Sequence, residues 1–311
     1  MADAGARSDH ATGPGAGAAA AGGRARAALA GTRFQDVRWS ASTGSTNADA
    51  MALARDGAPE GVVVVADHQA AGRGRRGRTW VAPPGASLLS TVLLRPPARV
   101  AGAVTMAAAL AMAEAVERTS GVVAGLKWPN DLVVATAAGD RKLAGILAEA
   151  DWPAGSTISG GYRRPAPHER VPLVVGVGVN VRWPGVPDGT GGAPGPGGGT
   201  DVAAGVDEVA GVATALNWLG AQVDRVDLLV AFLRRLEVRY ASLLADGPGG
   251  TRAAWRARSA TLGRRVRVDL GTDDLEGTAV DVTDEGHLVV ATVEGARRTI
   301  AVGDVVHLRP A

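Results

Sequence analysis

Three runs of aliphatic residues constrain this chain more than any other feature: GVVVVAD over 61–67, SLLSTVLLR over 87–95 and VPLVVGVGVNV over 171–181. Each is too short for a useful helix and too continuously apolar for a strand with a wet face, which leaves strands buried in a central sheet. An Ala/Met/Leu helix over 101–118 lies between them, and LKWPNDLVV with RKLAGILAEA reads as two paired strands around a Gly-Asp turn. Upstream, the pattern predicts a strand over 34–39 and a helix over 48–54. The segment Ser45-Thr46-Asn47 supplies its capping hydroxyls, and Gly57 and Pro59 end it.

The remainder divides by composition. Residues 1–31 are Gly/Ala-rich without apolar periodicity and are expected to form a disordered tail. Gly and Pro dominate 183–205, expected to be a mobile connection or lid, while 206–219, 226–244 and 252–259 have helix-compatible spacing. From Arg265 onward, five short alternating runs separated by Gly/Asp turns predict a small β-barrel. The expected organisation is therefore a tail, a mixed α/β body over 32–260 and a β-domain over 261–311.

The 311 residues carry 33 Lys+Arg against 31 Asp+Glu, a net charge of +2, so any basic surface is local and a dedicated nucleic-acid binder is disfavoured. There is no cysteine, which excludes disulfides, thiolate metal sites and a thiol nucleophile, and suits a cytoplasmic setting. The longest uncharged apolar stretch, 101–113, ends at Glu114, short of the roughly 20 residues that span a bilayer. The N-terminus has no leucine-rich signal core, so neither export nor membrane attachment is expected. Basic residues are almost all arginine, and lysine occurs only at Lys127 and Lys142. A lysine surviving that bias points to a need for a compact ammonium.

The segment DHQAAGRGRRGRTW, Asp67 to Trp80, fits several patterns at once. Gly72, Gly74 and Gly77 form GxGxxG after a predicted strand, and Gly72 to Thr79 nearly matches a P-loop with Arg78 in place of lysine. Neither is followed by a helix, since Trp80 leads into Val81-Ala82-Pro83-Pro84. An RNA-binding patch of Arg73, Arg75, Arg76 and Arg78 and a plain solvated loop are further readings. The glycines allow close backbone approach and the arginines offer forks for phosphate or carboxylate, which suits a loop closing over an anion. Two other groupings stand out: Lys127-Trp128-Pro129-Asn130-Asp131 with Lys142-Leu143-Ala144-Gly145-Ile146-Leu147-Ala148-Glu149, and Gly176-Val177-Gly178-Val179-Asn180. Paired glycines in a strand let a ligand lie against it.

In this order, STN, QxxGRGRxGR with its following Trp, KWPND, KLAGIL and GxGxN ahead of a small β-domain, the chain resembles biotin protein ligases, also called biotin–[acetyl-CoA-carboxylase] ligases. The resemblance runs from about Phe34 to Pro310. It implies a class II synthetase-like mixed sheet with flanking helices and an SH3-like C-terminal barrel. It also implies an ATP-dependent reaction with Mg2+, in which biotin becomes biotinyl-5'-AMP and is passed to a lysine of a biotin carboxyl carrier protein domain.

By the same resemblance, Lys142 contacts the biotin carboxylate and phosphate region, and Arg75 helps retain the intermediate under a loop that also includes Gly72, Arg73, Gly74 and Arg78. Ser45, Thr46, Asn47, Gln69 and Gly145 belong to the biotin side. Trp80, Asn130, Gly176, Gly178 and Asn180, with Arg73, Arg78 and Lys142, belong to the nucleotide side, and Asp131 holds magnesium or positions the attacking amine. Trp128 packs on the nucleotide or belongs to the core. Three departures accompany these expectations. The tail lacks the pattern of a DNA-reading domain, implying a monofunctional enzyme that is a monomer or weak homodimer. Residues 151–170 look like a surface insertion, and the Gly/Pro-rich stretch falls where the family approaches the adenine. A lipoate ligase is the nearest rival, though lipoate has no ureido group to use a polar pocket of Ser45, Thr46 and Gln69.

Overall fold

A computed structural model describes residues 14–137, 139–151, 165–184, 212–271 and 273–308. The aliphatic runs form the expected sheet. Its strands are β1 (Val37–Ser40), β2 (Val63–Ala66), β3 (Ser87–Leu94), β4 (Gly125–Lys127), β5 (Asp131–Thr136), β6 (Gly139–Ala150) and β7 (Leu173–Asn180). Their order is β1-β2-β3-β7-β6-β5-β4, with β1 and β2 parallel and every other neighbouring pair antiparallel. Residues of β3 are buried throughout, and their alternation divides them between two faces. Leu88, Val92 and Leu94 join the main core, whereas Leu93 meets Ala50 and Ala54 of the helix Thr46–Arg55.

The main core is closed by the helices Val104–Ser120 and Arg225–Asp246, which pack on each other through Met112, Phe232, Leu236 and Tyr240 among others. The second of these agrees with its sequence pattern, and Gly249–Ala257 follows it. The helix expected over 206–219 differs. Residues 206–211 lie outside the described residues, and beyond them Ala213 bridges to Lys142 and Asn217–Leu219 forms a single 3₁₀ turn. Most of the expected 183–205 connection and of the 151–170 insertion likewise lie outside the described residues.

The expectation of a disordered tail is corrected for residues 14–31. Pro14–Ala28 is a helix lying on β1, with Ala25 and Leu29 fully buried. Arg26 donates to the Val37 carbonyl at 2.8 Å, and Arg24 pairs with Asp224 at 3.1 Å. Alanine favours helix without supplying large apolar side chains, so the docking face has no periodic signature. Close approach replaces it: a Cβ on Gly22 would stand 3.1 Å from that of Trp39.

The C-terminal strands are β8 (Arg265–Asp269), β9 (Asp274–Val282), β10 (Leu288–Thr292), β11 (Arg297–Ile300) and β12 (Asp304–His307). They form one antiparallel sheet in the order β11-β10-β9-β8-β12. Val266, Val268, Ala279, Leu288 and Val290 fill its inner face. Contacts with the larger sheet run through Thr261, whose hydroxyl accepts from the Trp128 N–H at 3.0 Å and meets His307 Nε2 at 3.2 Å.

Candidate functional site

Segments far apart in the chain meet at one cavity beside the N-terminus of the Thr46–Arg55 helix. It is lined by Ser45, Thr46 and Asn47; by Gln69, Arg73, Gly74, Arg75, Arg78, Thr79 and Trp80; and by Leu89, Asn130, Lys142, Gly145, Ile146, Leu147, Gly176, Val177 and Gly178. Ser45 caps the helix with its hydroxyl, as its residue type favours. The Thr46 N–H and hydroxyl both donate to Gln69 Oε1, at 2.8 and 2.9 Å, which leaves the Gln69 amide hydrogens free to serve as donors. Behind them the buried Thr91 hydroxyl lies 2.8 Å from Thr46 Oγ1 and 2.7 Å from Asn47 Oδ1. Asn47 Nδ2 donates to Glu149 at 2.8 Å and to the Leu147 carbonyl at 3.2 Å. Its amide is thus fully engaged by protein and braces the wall.

The arginine loop is a tight hairpin. Gly74 N–H donates to the Arg78 carbonyl at 2.6 Å, Arg73 bridges Thr79, and Arg75–Gly77 makes one 3₁₀ turn. No helix follows, so both phosphate-loop patterns lack the N-terminus that would bind their anion. The RNA-patch reading also weakens, because each loop guanidinium faces a protein carboxylate: Arg73 meets Glu149 at 3.3 Å, and Arg75, Arg76 and Arg78 meet Asp304 of the β-domain. Burial lowers the pKa of Arg75 against the opposing pull of Asp304.

Trp80 closes the loop by laying its indole on bare strand. Gly145 and Gly178 are register partners on β6 and β7. A Cβ on Gly178 would fall 2.8 Å from Trp80 Cε2, and one on Gly145 would fall 3.0 Å from Cζ3. The indole N–H is buried without a hydrogen-bond partner, an open donor at the floor of the cavity. Gly176 is equally constrained, since a Cβ there would collide with the Asn47 amide.

Lys142 sits at a bulge where β6 skips a residue opposite Leu132 and Val133. Its Nζ pairs with Asp131 at 2.7 Å and stands 5.4 Å from the Trp80 ring centroid. The Lys142 N–H donates to the Val212 carbonyl at 3.0 Å, so its backbone is clamped on both sides. The ammonium therefore reaches the cavity from a rigid strand while about a third of it stays exposed.

Three expected site residues do not line this cavity. Gly72 forms the base of the hairpin, accepting from the Trp80 N–H at 3.0 Å, and Asp131 stands behind Lys142. Asn180 is turned toward protein partners. Its Nδ2 donates to the Thr214 carbonyl at 3.0 Å and its Oδ1 accepts from Trp183 Nε1 at 3.1 Å and from Ser87, so a buried network holds the amide in place. Asn180 thereby pins residues 214–217 against β7. Trp128 belongs to the core, 2% exposed with its indole donating to the Gly286 carbonyl at 2.9 Å. Sequence reasoning assigned no role to Thr91, Glu149 or Asp304. Glu149 ends the KLAGILAE run, but only the folded strand shows it joining Asn47 to Arg73.

Residues 39–157 match the Biotin/lipoate A/B protein ligase family, and residues 261–308 match the Biotin protein ligase C terminal domain. The chain is 38% identical to the biotin–[acetyl-CoA-carboxylase] ligase of Mycobacterium tuberculosis over 90% of its own length and 92% of that protein's. It is 35% identical to the enzyme of the same name from Paracoccus denitrificans, over 85% and 98%. Its fold is like that of the biotin protein ligase from Aquifex aeolicus in complex with biotin and ATP. The TM-score is 0.66 at 24% identity, covering 89% of this chain and all of that one. With two sheets, a glycine-floored cavity and relatives at this identity, the chain belongs to the biotin–[acetyl-CoA-carboxylase] ligase family.

Proposed function

We propose that the cavity under Arg73–Trp80 is where this ligase activates biotin with ATP and transfers it to a carrier lysine. In the first half-reaction the biotin carboxylate attacks the α-phosphorus of ATP, forming biotinyl-5'-AMP and releasing pyrophosphate. In the second, a carrier lysine amine attacks the mixed anhydride carbonyl and AMP leaves. The observation that carries this reading is the convergence of one ammonium, Lys142, and three loop guanidinia, Arg73, Arg75 and Arg78, on a cavity that also offers neutral donors and acceptors.

Charge repulsion between a carboxylate nucleophile and a phosphate is the main obstacle in the first step, and fixed cations offset it. Lys142 supplies a point charge at the junction, leaving Asp131 for the incoming oxygens. Ser45, Thr46 and Gln69 supply the donors and acceptors that a buried ureido group requires. Trp80 offers its face to the base and its open N–H to an acceptor. Asn130 stands beside them, while its Nδ2 donates to the Ile146 carbonyl at 2.8 Å.

Among the described residues no three metal-ligating side chains cluster together. Magnesium keeps its waters and substrate phosphates and needs only one or two carboxylates. Asp131 is the carboxylate at hand, and the ion would offset phosphate charge there.

The acceptor is a biotin carboxyl carrier domain, and its encounter takes place in the cytoplasm. Among the described residues no helix is long and apolar enough to cross a membrane. The test is mass spectrometry of the acyl-adenylate after mixing the protein and MgATP with biotin or with lipoate. Biotinyl-adenylate alone is expected; lipoyl-adenylate alone would overturn the pocket assignment.

A further inference from the structure

The hairpin over the cavity is held from the other sheet. Asp304, the first residue of β12, meets Arg78 at 2.7 Å, Arg76 at 3.4 Å and Arg75 at 3.9 Å. Asp269, its register partner at the end of β8, meets Arg76 at 3.2 Å. Arg75 also donates to the Gly303 carbonyl at 3.3 Å, and Arg76 to that of Asp269 at 3.4 Å.

Two features show that these contacts shape the loop. Arg76 adopts φ 54° and ψ 38°, and it is the sole non-glycine residue at positive φ among those described. A side chain held in that left-handed region needs compensation, and the point of strain coincides with the two carboxylates. Moreover, Arg75, Arg76 and Arg78 crowd three positive charges into four residues, and among the described residues Asp304 is the one acidic side chain that meets all three. Its side chain is 28% exposed, so solvent screens these pairs only in part.

We propose that Asp304 is a positioning residue for the ligase reaction: it clasps Arg75, Arg76 and Arg78 so that the C-terminal domain holds the hairpin over the cavity and sets how long the acyl-adenylate is retained. Asp304 does not line the cavity itself. Its influence passes through Arg75 and Arg78, which do. The consequence for retention rests on the reading of the cavity as the adenylation site; the clasp does not.

The experiment therefore has two readouts. Trypsin cleavage after Arg73, Arg75, Arg76 and Arg78 in the ligand-free protein, scored by mass spectrometry against cleavage at Arg118 as an internal reference, reports the clasp without reference to any reaction. Release of biotinyl-adenylate, followed by a biotin chase, reports the consequence. Asp304→Asn is expected to raise loop cleavage and adenylate release each by about threefold or more, the scale of losing partly exposed ion pairs. Asp304→Glu is expected to restore both. Unchanged loop cleavage in Asp304→Asn would overturn the clasp. Faster cleavage with unchanged release would overturn the control of retention, and wild-type protein that makes no adenylate would overturn that control together with the reading of the cavity, leaving the clasp to its own readout. Should Asp304→Asn lose stability so that all sites are cut faster, the wild-type protein decides. Loop cleavage relative to Arg118 must rise between low salt and about 1 M salt, where the screening length falls to about 3 Å, and a constant ratio would overturn the clasp.

Discussion

At the scale of single residues, the site depends as much on missing side chains as on charged ones. Gly145 and Gly178 leave a flat patch for Trp80, and Gly176 leaves room for the Asn47 amide. Among the described residues, Lys142 is then the one ammonium lining a cavity whose other charged lining residues are arginines. Lys142→Ala is expected to lower biotinyl-adenylate formation by at least about a hundredfold, the cost of removing a preorganised stabiliser of developing charge. Stability should fall by about 1–3 kcal/mol, because Asp131 Oδ1, buried and without a hydrogen bond, loses its cation. Lys142→Arg should not restore the rate, since a planar fork does not replace a compact ammonium beside Trp80. Quench-flow measurement of adenylate with parallel urea unfolding checks both points, and a near-normal rate in Lys142→Ala would remove the residue from the mechanism.

At the scale of elements, the strands were legible because branched aliphatic runs of that length have few other uses. The helix Arg225–Asp246 was legible because large apolar residues recur along one side of it. Pro14–Ala28 was not, because alanine and glycine carry no face, and its docking depends on partners far along the chain. Leu29→Ala measures that docking. A leucine buried between the helix and the body should cost about 2–4 kcal/mol when truncated, read as a lower urea midpoint at unchanged slope. A tail that did not dock would show no shift.

At the scale of the whole molecule, one histidine reports the junction between the two sheets. His307 Nδ1 accepts from Arg264 at 3.1 Å, its Nε2 faces the Thr261 hydroxyl, and Asp140 lies 3.5 Å away. Burial, reinforced by the cations of Lys127 and Arg264, pushes its pKa down to about 4 from an ordinary 6.5. Below pH 6.5 the unfolded histidine takes up a proton that the folded one refuses until about pH 4. Stability from this group is therefore complete above that window and is lost as the pH falls through it. Unfolding free energy should drop more between pH 7 and pH 5 in the native chain than in His307→Gln. Equal drops would show that His307 does not govern the junction.

The central sheet, the small β-domain and most of the cavity lining were legible from local patterns, because strand runs are local and the motifs STN, GRGRRGR, KWPND, KLAGIL and GVGVN keep their residues in short contiguous blocks. Tertiary structure decided the rest. Asn180 was drawn into a buried network with Trp183 and Thr214, and Glu149 was set between Asn47 and Arg73. Asp304 was brought to the arginine hairpin from more than two hundred residues away. In each case the deciding quantity is a hydrogen bond or charge pair between positions distant in the chain, and no local pattern encodes which buried polar group will find which partner.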